Sequence, residues 1–233
     1  MEYTEKLKEY LKKEGADLVG VTDVHSLSEL KTIPDNLLSP FTHAVSIAMR
    51  IPRAVFDFII DQPTPLYSSM YQNVNRLLDE VAYKGAKKLQ SDGYLSLPIP
   101  ASQIIDHEEW HGAISHKAVA RIAGLGWQGK NLLLITPEYG SKVRLVTILT
   151  NAPLSVDSPI ANRCGKCRKC TEACPAGAIK DRSTKDYYKS RDEALDFSKC
   201  VLKLTGEFQH LPNVSGLICG VCIKVCPWGS KLR

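Results

Sequence analysis

Two runs of cysteine carry the plainest chemistry in this 233-residue chain. Cys164, Cys167, Cys170 and Cys174 are spaced by two, two and three residues and lead into Pro175. Cys200, Cys219, Cys222 and Cys226 follow, and the last again precedes a proline, Pro227. Such a run wraps three thiolates around one iron–sulfide cube and sends the fourth to a second cube. The eight cysteines fill two four-thiolate sites with none left over. By the crossed pattern, one 4Fe–4S cluster takes Cys164, Cys167, Cys170 and Cys226, and the other takes Cys174, Cys200, Cys219 and Cys222. Zinc held by four cysteines is the alternative, although zinc knuckles favour other spacings.

A second pattern is His107-Glu108-Glu109-Trp110-His111. On a helix, two histidines four apart share a face and can grip one zinc, with the intervening Glu108 as general base. The extended form of that motif fails here, because Gly112 follows at once and His116 stands five residues on. A shorter resemblance, Asp23-Val24-His25, begins like a cobalt-ligating motif but has Ser28 where that motif has glycine, so a capped turn after a strand is expected.

Composition sets the frame for these residues. Hydrophobic residues make up 44% and charged residues 24%, an ordinary globular balance. No apolar run approaches the ~18 residues of a membrane span, and the charged start MEYTEKLKEYLKKEG lacks a signal-peptide core. A cytoplasmic protein with reduced thiols is expected, so its cysteines point to metal rather than to disulfides. All of them lie after residue 163, and the turn-rich stretch 151–159 reads as a connector. We therefore expect an α+β domain over 1–157 and a cysteine domain over 158–233. From residue 158 onward 14 Lys/Arg stand against 7 Asp/Glu. Two 4Fe–4S clusters with their thiolates would bring about −4, offsetting most of that excess, so the basic balance does not argue for nucleic acid. Some positive charge remains to dock an acidic electron donor.

The elements that must position these residues are partly visible. Tyr3, Leu7, Tyr10 and Leu11 follow helical spacing up to Gly15, and strands are expected over 16–21 and 43–51. Thr64-Pro65 starts a long amphipathic helix marked by Met70, Val74, Leu77, Leu78, Val81 and Leu89 and ended by Gly93. Two strands, 131–136 and 142–150, are expected on either side of Glu138-Tyr139-Gly140.

The stretch Ala123-Gly-Leu-Gly-Trp-Gln-Gly-Lys-Asn131, the two cysteine runs, Leu204-Thr205 after Cys200, and the ending Cys226-Pro227-Trp228 together resemble the epoxyqueuosine reductase family. Ala16–Gly20 and Gly93–Pro98 fit it more weakly. The resemblance implies a nitroreductase-like α+β domain that binds cobalamin, followed by a ferredoxin-like double-cluster domain that feeds it single electrons, as in the related reductive dehalogenases. It implies base-off cobalamin with no histidine on cobalt, and a corrinoid-contacting loop of Gly124, Gly126, Trp127, Gly129, Lys130 and Asn131. A tight turn between helix and strand is the plainer reading of those three glycines. The family continues into helical repeats that help hold tRNA, and their absence after Trp228 makes tRNA an unlikely substrate. The family's proton-donating aspartate lies seven residues before the lysine matching Lys117. A gapless count lands on Trp110, and Asp106 matches if four residues are inserted.

The expectation is thus an iron–sulfur oxidoreductase whose clusters reduce a cobalamin that acts on a small molecule, with ferredoxin or flavodoxin as donor. Asp106, then Glu109 and His111, are the candidate proton donors, and burial beside a corrin would raise the pKa of Asp106. A two-cluster electron-transfer protein, or a corrinoid carrier or reductive activator without its own substrate, is the alternative.

Overall fold

The structure is a computed structural model and describes residues 2–230. Along the chain run helix α1 (Tyr3–Lys13), strands β1 (Leu18–Asp23) and β2 (His43–Arg50), helices α2 (Arg53–Asp57) and α3 (Pro65–Ser91), strand β3 (Ser96–Ile99), helix α4 (His116–Ile122) and strands β4 (Trp127–Gln128), β5 (Leu134–Ile135) and β6 (Val143–Thr150). The short helices α5 (Lys169–Glu172), α6 (Arg191–Ala194), α7 (Phe197–Gly206) and α8 (Val221–Lys224) follow. The class is α+β. Two compact units form. One runs from the N-terminus to Met49 and adds Val74–Leu125 and Arg144–Ile160; the other takes Arg50–Asn73, Gly126–Val143 and the chain from Ala161 on. The cysteine segment therefore folds together with two stretches drawn from earlier in the sequence.

The first unit is built on a four-stranded sheet of order β1-β2-β6-β3. β1 pairs antiparallel with β2, from Leu18 opposite Ala48 to Asp23 opposite His43, and β3 pairs antiparallel with β6, from Ser96 opposite Thr150 to Ile99 opposite Thr147. The central strands are buried without alternation, over Ala44–Ala48 in β2 and Leu145–Thr150 in β6, because both faces of the sheet are covered. Leu7 and Leu11 of α1 and Val74, Leu78, Val81, Ala82 and Leu89 of α3 give the apolar stripes that meet it. Gly85 allows the close approach: a Cβ there would lie 2.7 Å from Ile148 Cδ1 and 2.7 Å from Leu11 Cδ2. A second cluster gathers Leu27, Phe41, Ile99, Val119 and Leu149. Asp23 caps the turn after β1 as the sequence implies, its Oδ1 accepting from the Ser26 amide at 2.9 Å.

Two elements of this unit were not foreseen. β3 contains Pro98, which argues against a central strand; it lies at the sheet edge, where a missing N–H is tolerated. α4 is only seven residues long and relies on its N-cap, Ser115, which accepts from the Ala118 amide. In the second unit the strand expected over 131–136 shrinks to Leu134–Ile135, paired with β4. Leu132 takes a left-handed φ of 60°, and Asn131 Oδ1 accepts from the Leu133 amide, so the start of that stretch is a turn. Apart from this hairpin the second unit is short helices around Leu132, Ile179, Tyr188, Ala194 and Leu195, against which Cys170, Cys174, Cys200 and Cys222 pack. Among the described residues no helix is long and apolar enough to cross a membrane.

Leu11, fully buried between α1 and α3, tests this packing. Leu11→Ala should cost about 2–5 kcal/mol in chemical denaturation, whereas exposed Lys12→Ala should stay within about 0.5 kcal/mol.

Candidate functional site

The eight thiols are all reduced and half-buried. Burial pushes the Cys170 thiol up to about 11, and the charges that add to it are those of Cys164, Cys226 and Cys167. Burial raises Cys222 further, and its neighbours in order are Cys219, Cys170, Cys200 and Cys174. Cys219, also pushed up to about 11 by burial, feels Cys200 and Cys174. The thiols thus group as Cys164/Cys167/Cys170/Cys226 and Cys174/Cys200/Cys219/Cys222, with Cys170 and Cys222 as the pair that links the groups. Local turns create the grouping. The Cys167 amide donates to the Cys164 carbonyl, α5 carries Cys170, and α8, started by Gly220 at φ 85°, carries Cys222.

Two lysines stand against the first group. Lys130, 4% exposed, donates from Nζ to Asp181 Oδ1 at 2.8 Å and to the Cys167 carbonyl at 3.0 Å. Lys142, 5% exposed, reaches the carbonyls of Trp228 at 3.3 Å and Cys226 at 3.5 Å. Burial pulls its pKa down and the neighbouring Cys226 thiol opposes that. Lys142 was not singled out from sequence; its one signal there is a charge at the mouth of the apolar run of β6. Buried cations are tolerated where compensating negative charge stands nearby, and cluster thiolates are such a charge. Two buried hydrogen-bonding atoms beside the first group, Trp127 Nε1 and Thr171 Oγ1, meet no protein partner. Arg163 and Trp228, next to Cys164 and near Cys226, both pack on the Trp127 ring. The sulfides of an iron–sulfur cluster are acceptors suited to such donors, so the residues present fit the group.

The Gly-rich loop serves the chain itself. Gly124 has φ 75°, and a Cβ there would sit 2.6 Å from the Ser158 carbonyl oxygen. At Gly126 a Cβ would sit 2.1 Å from the Ile135 oxygen, because β5 crosses directly over it. Gly129 faces Asn131 and Ile135. Trp127, Lys130 and Asn131 are all buried. These close approaches fit the tight-turn reading of the three glycines.

Residues 106–111 form a closed turn rather than a helix. The Asp106 and His111 backbones bridge, each amide donating to the other's carbonyl at 3.0 Å. Trp110 stands at φ 56°, an uncommon conformation for a bulky side chain. His107 and His111 therefore do not share a helix face, and the zinc-grip geometry does not arise. Asp106 Oδ1 accepts from the amides of Glu109 at 2.9 Å and Glu108 at 3.0 Å, and Oδ2 pairs with Lys31 at 3.3 Å. Those contacts, the Glu109 amide foremost, hold its carboxyl below the usual range. Burial is slight here, and the two amides and Lys31 favour the ionised form. His116, five residues beyond this turn, has both ring nitrogens engaged, Nδ1 with Thr147 Oγ1 at 2.8 Å and Nε2 with the Pro100 carbonyl at 2.9 Å.

Comparison with known proteins agrees with this geometry. Residues 163–229 match the 4Fe-4S double cluster binding domain, so the second unit carries a domain for two 4Fe–4S clusters. An epoxyqueuosine reductase of Bacillus anthracis is 39% identical over 123 residues, which is 50% of this chain and 30% of the relative. One of Aliivibrio fischeri is 28% identical over 219 residues, 87% of this chain and 53% of the relative. The chain thus spans about half or less of the curated relatives it matches. Among solved structures, a reductive dehalogenase whose structure suggests a mechanism for B12-dependent dehalogenation superposes with a TM-score of 0.78 at 22% identity, covering 97% of this chain and 32% of the other. That likeness carries the fold. An epoxyqueuosine reductase solved with an epoxyqueuosine-modified tRNA-Tyr stem loop gives a TM-score of 0.64 at 27% identity, covering 97% of this chain and 64% of the other. The chain is thus similar in sequence to epoxyqueuosine reductases, one of which is solved with a modified tRNA stem loop.

The buried environment of His116 brings its pKa down to about 4. A group whose folded pKa is depressed stabilises the fold fully above its unfolded value, about 6.5, and loses that contribution as pH falls toward 4. Urea titrations between pH 7 and pH 4 should show this loss, and His116→Gln should remove that part of the pH dependence.

Proposed function

We propose that this chain is an iron–sulfur reductase in which Cys164/Cys167/Cys170/Cys226 and Cys174/Cys200/Cys219/Cys222 each ligate one 4Fe–4S cluster, and that the clusters serve a base-off cobalamin which reduces an organic substrate. The observation that carries the reading is the grouping of eight thiols into two adjoining sets, with Cys170 next to Cys222. Adjoining one-electron centres suit a reaction that consumes electrons in pairs. When bound, cobalamin supplies a strongly reducing cobalt centre. Lys130 and Lys142 balance the charge of the first set, and their donated hydrogen bonds fix the carbonyls of Cys167, Cys226 and Trp228.

The relatives are epoxyqueuosine reductases, and one is solved with a modified tRNA stem loop, so an epoxide on a modified tRNA nucleoside is the first substrate to test; a small molecule of like chemistry is the second. Reduction at an epoxide consumes protons as well as electrons, so a donor must lie within about 3 Å of the substrate. Asp106, Glu109 and His111 remain the residues proposed for that role. Ferredoxin or flavodoxin is the proposed electron donor, and a cytoplasmic location fits the reduced thiols.

One observation favours a second reading, a corrinoid reductive activator or two-cluster carrier without its own substrate. Asp106 is held ionised by the turn it closes and by Lys31, whereas a proton donor must be protonated.

Anaerobically reconstituted protein should bind about eight irons. Cys226→Ser should remove the cluster of the first set and leave the other; loss of the second set's cluster instead would overturn the crossed ligation. Cobalamin added to the loaded protein should give a cobalt spin resonance spectrum without splitting from an axial nitrogen. Turnover of an epoxide-bearing tRNA stem loop supports the reductase, and cobalt reduction with no product from any epoxide supports the activator.

A further inference from the structure

Two loops of the second unit bring unpaired basic side chains to the ligands of one cysteine set. The loop holding Cys164 and Cys167 and the loop 181–189 are tied together: the Asn162 amide donates to the Lys185 carbonyl, Ser183 Oγ donates to the Gly165 carbonyl at 3.1 Å, and Arg168 pairs with Asp181 at 3.2 Å. Between Arg163 and Lys189 eight basic residues stand against three acidic ones, Glu172, Asp181 and Asp186. Two of those acids are already engaged, Asp181 by Lys130 and Arg168, and Glu172 by Arg168. Lys166, Lys169, Arg182 and Lys185 are exposed, and among the described residues their side chains form no ion pair or hydrogen bond. Among the described residues after Lys189 the lysines are neutralised or tied down: Lys199 pairs with Asp196, Lys203 with Glu207, and Lys224 donates to the Ile59 carbonyl. An open groove lined by Lys169, Glu172, Ala173 and Val225 adjoins the patch.

We propose that this patch is the electron-entry surface, where a small acidic one-electron carrier protein docks and reduces the cluster held by Cys164, Cys167, Cys170 and Cys226. The inference rests on the two-cluster part of the function proposed above and is independent of cobalamin. Free positive charge concentrates at the backbone carrying Cys164 and Cys167, and a carrier must come close to the cluster it reduces. Each encounter moves one electron: the reduced carrier is oxidised by one and the cluster falls from its 2+ to its 1+ state. Complementary charge raises the encounter rate and makes it sensitive to salt.

The test uses the reconstituted chain, its iron content verified, with reduced plant-type ferredoxin as the acidic probe. Stopped-flow reduction of the clusters should slow at least tenfold at low salt in Lys166→Glu/Lys169→Glu and in Arg182→Glu/Lys185→Glu. Its salt dependence should flatten, while reduction by dithionite keeps its rate. The second variant lies away from the cysteines and serves if the first disturbs cluster assembly. Binding of the ferredoxin, followed by cross-linking, should weaken in parallel. Unchanged ferredoxin kinetics in both variants, or a larger loss in Lys199→Glu/Lys203→Glu, overturns the proposal. So does loss of tRNA binding with ferredoxin kinetics unchanged, which would assign the patch to RNA. A chain that takes up no iron would fail at the earlier step and disprove the function rather than the surface.

Discussion

A 4Fe–4S cube demands four thiolates converging from different directions, and that demand organises the whole second unit. No short run of cysteines can surround a cube by itself, so each run closes on the other. The Cys164–Cys174 and Cys219–Cys226 segments must meet, and Cys200 must be delivered from α7 between them. Sheet and long helix are largely dispensable for this task. The unit therefore consists largely of turns and short helices, with a small apolar cluster on which the cysteines themselves pack. The buried lysines belong to the same constraint. Lys130 and Lys142 would be costly inside the protein without negative charge beside them.

The two anticipated polar sites differ in how far the fold commits them. The thiols stand near one another on turns and short helices. The carboxyl of Asp106, by contrast, is occupied by the turn it closes and by Lys31. His116 is occupied as well, acting as a brace between β6 and the Pro100 carbonyl.

Legibility in the sequence followed the strength of local constraint. Cysteine spacing is dictated by cluster geometry, and the residues matching a double-cluster domain, 163–229, are those the spacing marked out. The stripe of α3 was equally plain, since a 27-residue amphipathic helix repeats its signal many times. β3 was hidden by Pro98, whose place at a sheet edge depends on strands remote in sequence. The Gly-rich loop was legible as a tight turn, because close backbone approach at Gly124 and Gly126 demands glycine. His107-Glu108-Glu109-Trp110-His111 misled because its logic assumes a helix, and the left-handed Trp110 that denies one leaves no mark in composition. The composition shift at the cysteines could not reveal that residues 50–73 and 126–143 fold with them.

The convergence of both cysteine runs has a temporal side. A ribosome delivers Cys164, Cys167 and Cys170 well before Cys226, and Cys174 well before Cys222. With crossed ligation the first cube waits for Cys226, and its three earlier thiols stand as bare nucleophiles until the second cysteine run is made. Thiols in that condition are open to oxidation. Under crossed ligation cofactor insertion thus follows the second run, and depends on a cell that keeps the emerging chain reduced and shielded from oxygen until that run arrives.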